Sequence, residues 1–124
     1  MNRPTYYKRM FLVSALFNFI VATMLLAGLT DSIVGTTPFD PLGKQLFGGF
    51  VVVFGIGYWI VSRDIRRNEG IVWLGIIGKL LVVVLFFAHA IGGGISYRLA
   101  APSLIDFGFA ILFAEFLVNG RQAA

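Results

Sequence analysis

Hydrophobic positions in this chain gather into four long runs separated by short polar interruptions. The clearest is IVWLGIIGKLLVVVLFFAHAIGGGI, residues 71–95, in which Lys79 and His89 are the sole ionisable side chains. A helix rises ~1.5 Å per residue, so roughly 20 apolar residues cross the ~30 Å hydrocarbon layer and this run has a few to spare. The other runs extend from Phe11 to Leu29, from Leu46 to Ser62 and from about Leu99 to Val118. With their flanks they predict spans at roughly 10–29, 46–62, 71–95 and 99–118 of the sequence. The predicted fold is an all-α membrane protein: four transmembrane helices in an up-down-up-down bundle, one domain over residues 1–124.

The interruptions sharpen this outline. Before the first run, Arg3, Lys8 and Arg9 imitate the charge pattern of a secretory signal, but about 19 apolar residues exceed the ~7 to 15 of a signal core, so a retained span is expected. Tyr6 and Tyr7 then sit at the membrane interface. The stretch TDSIVGTTPFDPLGKQ, Thr30 to Gln45, combines prolines, glycines and acids and reads as an exposed loop. The second run is short, and its Gly48 and Gly55 share a helical face that Gly49 and Gly57 would widen for close packing against another helix. Gly92 to Gly94 suit the end of the third helix, and with no preceding strand and no following Lys-Ser or Lys-Thr they do not form a phosphate loop. Pro102 is acceptable in the first turn of the fourth helix, and NGRQAA supplies its stop.

Composition agrees with lipid as the main solvent: 58% of residues are hydrophobic, against 13% charged, and mean hydropathy is +0.87. The net charge of +4 does not point to nucleic acid, because the basic residues flank apolar spans and serve orientation. With both termini cytoplasmic, the inner segments hold Arg3, Lys8, Arg9, Arg63, Arg66, Arg67 and Arg121, and the outer loops hold Lys44 and Arg98. Arg63, Arg66 and Arg67 in the loop RDIRRNEG read as a topology signal that also attracts anionic lipid headgroups, with Trp59 and Trp73 as flanking interface anchors. The absence of cysteine excludes disulfides and thiolate chemistry within the chain.

Polar residues inside the runs are the candidate functional groups. Ionisable side chains at that depth are costly and should find partners, and Asn18 needs hydrogen-bond partners in lipid. Folding the third and fourth spans about Tyr97 sets Lys79 level with Glu115 and His89 level with Asp106. Helical phase prevents both acids from facing one neighbour, and Lys79 with Glu115 is the preferred pair because it needs no protonated histidine. Asn18 lies at similar depth and completes a three-helix polar layer. Such a layer is a structural clasp in the first reading, a proton or ion path in the second, and a snorkelling lysine or glutamate in the third. His89 alone is too little for a metal centre, although two copies in a dimer offer a haem arrangement; a hydrogen-bonded core histidine is the simpler role. No catalytic, metal or cofactor residue is assigned. The phenylalanines Phe47, Phe50, Phe54, Phe107, Phe109, Phe113 and Phe116 read as packing or lipid-facing groups.

The arrangement GYWIVSRDIRRNEGIVWLGIIGK, followed by the rest of the third span and an acid-bearing fourth, resembles small four-span bacterial membrane proteins of the broad DoxX-like type. That resemblance implies a bacterial inner (plasma) membrane location and, for some relatives, association with quinone-linked redox complexes. From the residues themselves the expected role is a helical interaction or accessory subunit, with a homo-oligomer or a larger membrane complex as its setting. A proton, ion or small-solute transport unit is the alternative, and a quinone- or haem-associated redox subunit the second alternative.

Overall fold

The computed structural model describes residues 3–29 and 41–120. Helix α1 spans Arg3–Leu26, α2 Pro41–Arg63, α3 Glu69–Ile91, the one-turn α4 Tyr97–Ala100, and α5 Ser103–Glu115, which runs on into a π-helical segment, Phe116–Gly120. Four segments, α1, α2, α3 and Tyr97–Gly120, are each long and apolar enough to cross a membrane, which marks an integral membrane protein.

Two helices begin earlier than their apolar runs. α1 starts eight positions before Phe11, because Pro4 is tolerated in a first turn, where N–H groups lack intrahelical partners, and buried Tyr7 and Met10 give those turns a core to pack on. Tyr6 stays exposed while Tyr7 turns into the bundle. α2 likewise opens on Pro41, so residues 41–45 are helical rather than loop and the short second run grows to 23 residues. The rest of the expected loop, residues 30–40, lies outside the described residues, as does Arg121.

The third and fourth spans are shorter or more broken than their hydropathy predicts. α3 stops at Ile91 because the chain reverses at Gly93, whose φ of +83° is the left-handed conformation that glycine adopts without a Cβ penalty. The Gly94 N–H then bonds the His89 carbonyl at 2.8 Å and closes the helix end. Pro102 does not sit inside a continuous helix. Lacking an N–H, it separates α4 from α5, and the Ser103 hydroxyl donates to the Ala100 carbonyl at 2.6 Å across the break.

Neighbouring helices run antiparallel in the order α1, α2, α3, α5 around the bundle. Gly48 meets Leu26 and Gly55 meets Phe19 between α1 and α2, while Gly75 meets Tyr58 and Phe86 meets Phe47 between α2 and α3. Lys79 meets Asp106 between α3 and α5, and the rings of Phe11 and Phe17 meet Phe113 and Phe109 between α1 and α5. The glycine face of α2 packs closely: a Cβ on Gly55 would fall 2.8 Å from the Phe19 ring and 3.1 Å from the Asn18 Cβ. Gly49 takes no part in this, having no neighbour among the described residues within 4 Å of a Cβ position.

This topology brings Arg3, Lys8, Arg9 and the arginine loop to one end of the bundle, hereafter the arginine end. The core is concentrated there, with Tyr7, Phe11, Tyr58, Val61, Ile65, Val72, Phe113 and Phe116 in one cluster. Lipid tails are as apolar as these side chains, so the cluster holds through close packing and ring geometry rather than through a gain in burial. Phe11 is its hub, stacked on Phe113 at 4.9 Å and edge-on to Phe116 at 5.2 Å. Towards the middle of the bundle this packing gives way to polar groups and a cleft.

Candidate functional site

Lys79 projects from the middle of α3, about 15 Å from its first residue and about 18 Å from its last. Its side chain is 4% exposed, and its Nζ donates to Asp106 Oδ1 at 2.7 Å. A longer bond, 3.4 Å, runs from Nζ to Asn18 Oδ1 on α1. Asn18 in turn donates through Nδ2 to the Val51 carbonyl of α2 at 3.0 Å, using a second lone pair that a helical carbonyl keeps available. One ammonium therefore ties α3 to α5 and α1, and the asparagine carries the connection to α2. The rings of Tyr58, Phe109 and Phe17, with centroids 5.2, 5.3 and 5.6 Å from Nζ, complete its surroundings.

Glu115 is not the partner of Lys79. The hairpin reverses at Gly92 and Gly93 instead of Tyr97, and residues 97–100 already run back alongside α3 as α4, so the residue level with Lys79 is Asp106. Glu115 lies about 13.5 Å further along the fourth span, at the arginine end. There the Tyr7 hydroxyl bridges its two carboxylate oxygens at 2.6 and 2.8 Å, with Asn119 Nδ2 at 3.4 Å and Arg3 at 3.5 Å as weaker neighbours. The same shift of register separates His89 from Asp106. His89 lies about 15 Å along α3 from Lys79, exposed in the last turn, where its carbonyl accepts the Gly94 N–H.

The structure thus unites Asn18, Lys79 and Asp106, and leaves Glu115 and His89 at opposite ends of the bundle. No group of three or more His, Asp or Glu side chains placed to hold a metal occurs among the described residues. At the arginine end, Arg63, Arg66 and Arg67 are exposed, and the loop is pinned by buried Ile65 and by Asn68 Nδ2 donating to the Asp64 carbonyl at 2.7 Å. Arg63 lies over the Trp59 ring, 5.8 Å from its centroid.

Beside the clasp is a cleft of about 310 Å³ between α1, α2 and α3. Phe47, Phe50 and Phe54 of α2 face Gly78, Leu81 and Val82 of α3 across it, and Asn18, Lys79 and Asp106 border it. Phe50 and Leu81 are 59% and 56% exposed, so the mouth opens sideways, between α2 and α3. Neither this cleft nor the bond from Tyr7 to Glu115 is apparent in the hydropathy pattern. The second had a signal: Tyr7 heads the series Tyr7, Phe11, Ser14, Asn18, whose helical spacing marks one face of α1.

Comparison with protein-family models, with curated proteins and with solved structures finds no match to this chain.

Proposed function

We propose that this chain is a helical interaction or accessory subunit of a bacterial inner membrane, built as a rigid four-helix unit around the clasp of Lys79, Asp106 and Asn18. The observation that carries the reading is the closure of that clasp. Lys79 is held at 2.7 Å by Asp106 and enclosed by three aromatic rings, so the one ammonium at mid-depth is used in joining helices. A proton path towards the arginine end would need a next station, and Glu115 is about 13.5 Å away beyond the rings of Tyr58 and Phe113, which are packed at 5.1 Å. The transport reading therefore has less support. The haem reading would rest on His89, which is exposed in the last turn of α3, about 15 Å along the helix from the clasp.

Both termini are assigned to the cytoplasm, where the exposed arginines meet anionic headgroups. The DoxX-like resemblance is compatible with this role and is part of the proposal. Partners are the bilayer and either further copies of the chain or a larger membrane complex.

Purification of the tagged chain at native abundance, from membranes dissolved in mild detergent, tests the reading alongside proton flux in liposomes. The expected result is an assembly of fixed stoichiometry, together with flux equal to that of protein-free vesicles. A lone monomer, or a proton flux abolished by Asp106→Leu, would overturn it.

A further inference from the structure

The clasp satisfies Lys79 better than it satisfies Asp106. Asp106 takes the lysine through Oδ1, and no group among the described residues donates to Oδ2. Its side chain is 23% exposed, at the floor of the cleft. An ammonium has three donors, and Nζ spends one on Asp106 and one on the long bond to Asn18. The floor of an otherwise apolar cleft at mid-membrane therefore presents a carboxylate oxygen that none of the described residues donates to, beside an ammonium with one N–H unspent. Such groups are expensive to leave unmatched in hydrocarbon.

We infer that the cleft is a binding site for a neutral alcohol dissolved in the bilayer, whose hydroxyl donates to Asp106 Oδ2 while its apolar body lies among Phe47, Phe50 and Phe54. Three features of the site select this class. A hydroxyl supplies the donor that the carboxylate lacks, and its own oxygen can accept from Lys79. Lys79 and Asp106 cancel each other's charge, so a charged ligand would bring an unpaired ion into an aromatic cleft. The mouth lies between α2 and α3 at the depth of Phe50 and Leu81, both exposed to the lipid, so the ligand arrives from the membrane rather than from water. A volume of about 310 Å³ is at the small end for ligand pockets and suits one short isoprenoid or ring-bearing molecule, not a phospholipid.

The test uses radiolabelled farnesol, an uncharged isoprenoid alcohol, with the full chain in nanodiscs. Binding is expected to saturate at one farnesol per chain. Farnesyl methyl ether, which has no donor, and farnesyl phosphate, which is charged, should each compete at least about tenfold more weakly, the factor expected for one lost hydrogen bond to a charged group. Val82→Trp fills the cleft while keeping Asn18, Lys79 and Asp106 in place, and should weaken farnesol binding by at least about tenfold, with helix content and elution volume unchanged. Uptake that never saturates, or an ether that competes as well as the alcohol, would overturn the inference by reducing the cleft to a shape that accepts any acyl chain. Wild-type binding by a folded Val82→Trp protein would overturn its location. The comparison of alcohol, ether and phosphate on the unmodified chain decides the chemistry even if Val82→Trp does not fold.

Discussion

Replacing Asp106 by leucine leaves the Lys79 ammonium in the middle of α3 with only Asn18, at 3.4 Å, as an oxygen partner among the described residues. The lysine cannot escape to water. It is about 15 Å from the nearer end of its helix, and its stem reaches roughly 6 Å. Insertion of lysine near a helix centre costs about 2.5 to 3.5 kcal/mol on the low scale, and stranding one partner of a buried pair costs about 3 to 5 kcal/mol, so Asp106→Leu should destabilise the bundle by about 3 kcal/mol. Lys79→Leu should cost less, about 2 kcal/mol or below, because Asp106, 23% exposed at the cleft, can be reached by water that does not reach Lys79 at 4%. The double replacement removes both charges and should lie within about 1 kcal/mol of the wild type, giving a coupling of at least about 2 kcal/mol. That is well above the ~0.6 kcal/mol average for hydrogen bonds between membrane helices. Reversible unfolding in mixed micelles, followed by the fluorescence of Trp59 and Trp73, measures all four proteins. An additive cycle would refute the reasoning, and so would a coupling of Lys79 to Glu115 as large as its coupling to Asp106.

Three further outcomes can be checked with the same protein. Tyr7→Phe removes the hydroxyl that bridges both oxygens of Glu115 and should lower stability by about 1 kcal/mol in the unfolding assay, with little further loss when Glu115→Gln is added. Gly55→Leu should push α1 from α2 and destabilise the bundle by more than about 2 kcal/mol, whereas Gly49→Leu, whose Cβ meets nothing within 4 Å, should change stability by less than about 0.5 kcal/mol. The chain has no native cysteine, so single cysteines introduced at positions 2 and 123 report topology cleanly. Both should react only with reagent that has crossed the membrane, and labelling of either from outside would reverse the assigned orientation.

Most of the fold was legible because lipid imposes its rule on whole runs of residues. A segment of about 20 apolar residues can cross only as a helix, so the four spans follow from hydropathy without any knowledge of packing. Helix ends were harder, since Pro4 and Pro41 open helices as readily as they interrupt loops, and only the buried Tyr7 and Met10 show which of the two occurs at the first. The inward faces were half-legible. In lipid both faces of a helix are apolar, and the inner one is marked by small and polar residues such as Ser14, Ala15, Asn18 and Ala22 on α1, and Gly48 and Gly55 on α2.

The site turned on the register of a single hairpin. Asn18, Lys79 and Asp106 were all candidates, but choosing the partner of Lys79 required the point of reversal. Three consecutive glycines and a proline near Tyr97 leave several places for it, and moving it from Tyr97 to Gly93 exchanges Glu115 for Asp106. The cleft was not legible at all. It arises because large rings on α2, Phe47 and Phe54, hold that helix off α3, and this spacing depends on rotamers that no periodicity encodes.

The most direct measurement of the clasp is solid-state NMR of the full chain in bilayers, with ¹⁵N on lysine side chains and ¹³C on the carboxyl carbons of aspartate and glutamate. The Lys79 ammonium nitrogen should show strong dipolar dephasing from the Asp106 carboxyl carbon, lost in Asp106→Asn with unlabelled asparagine and unaffected by Glu115→Gln. Dephasing that survives Asp106→Asn and vanishes in Glu115→Gln would contradict the pairing on which the packing of α1, α3 and α5 depends.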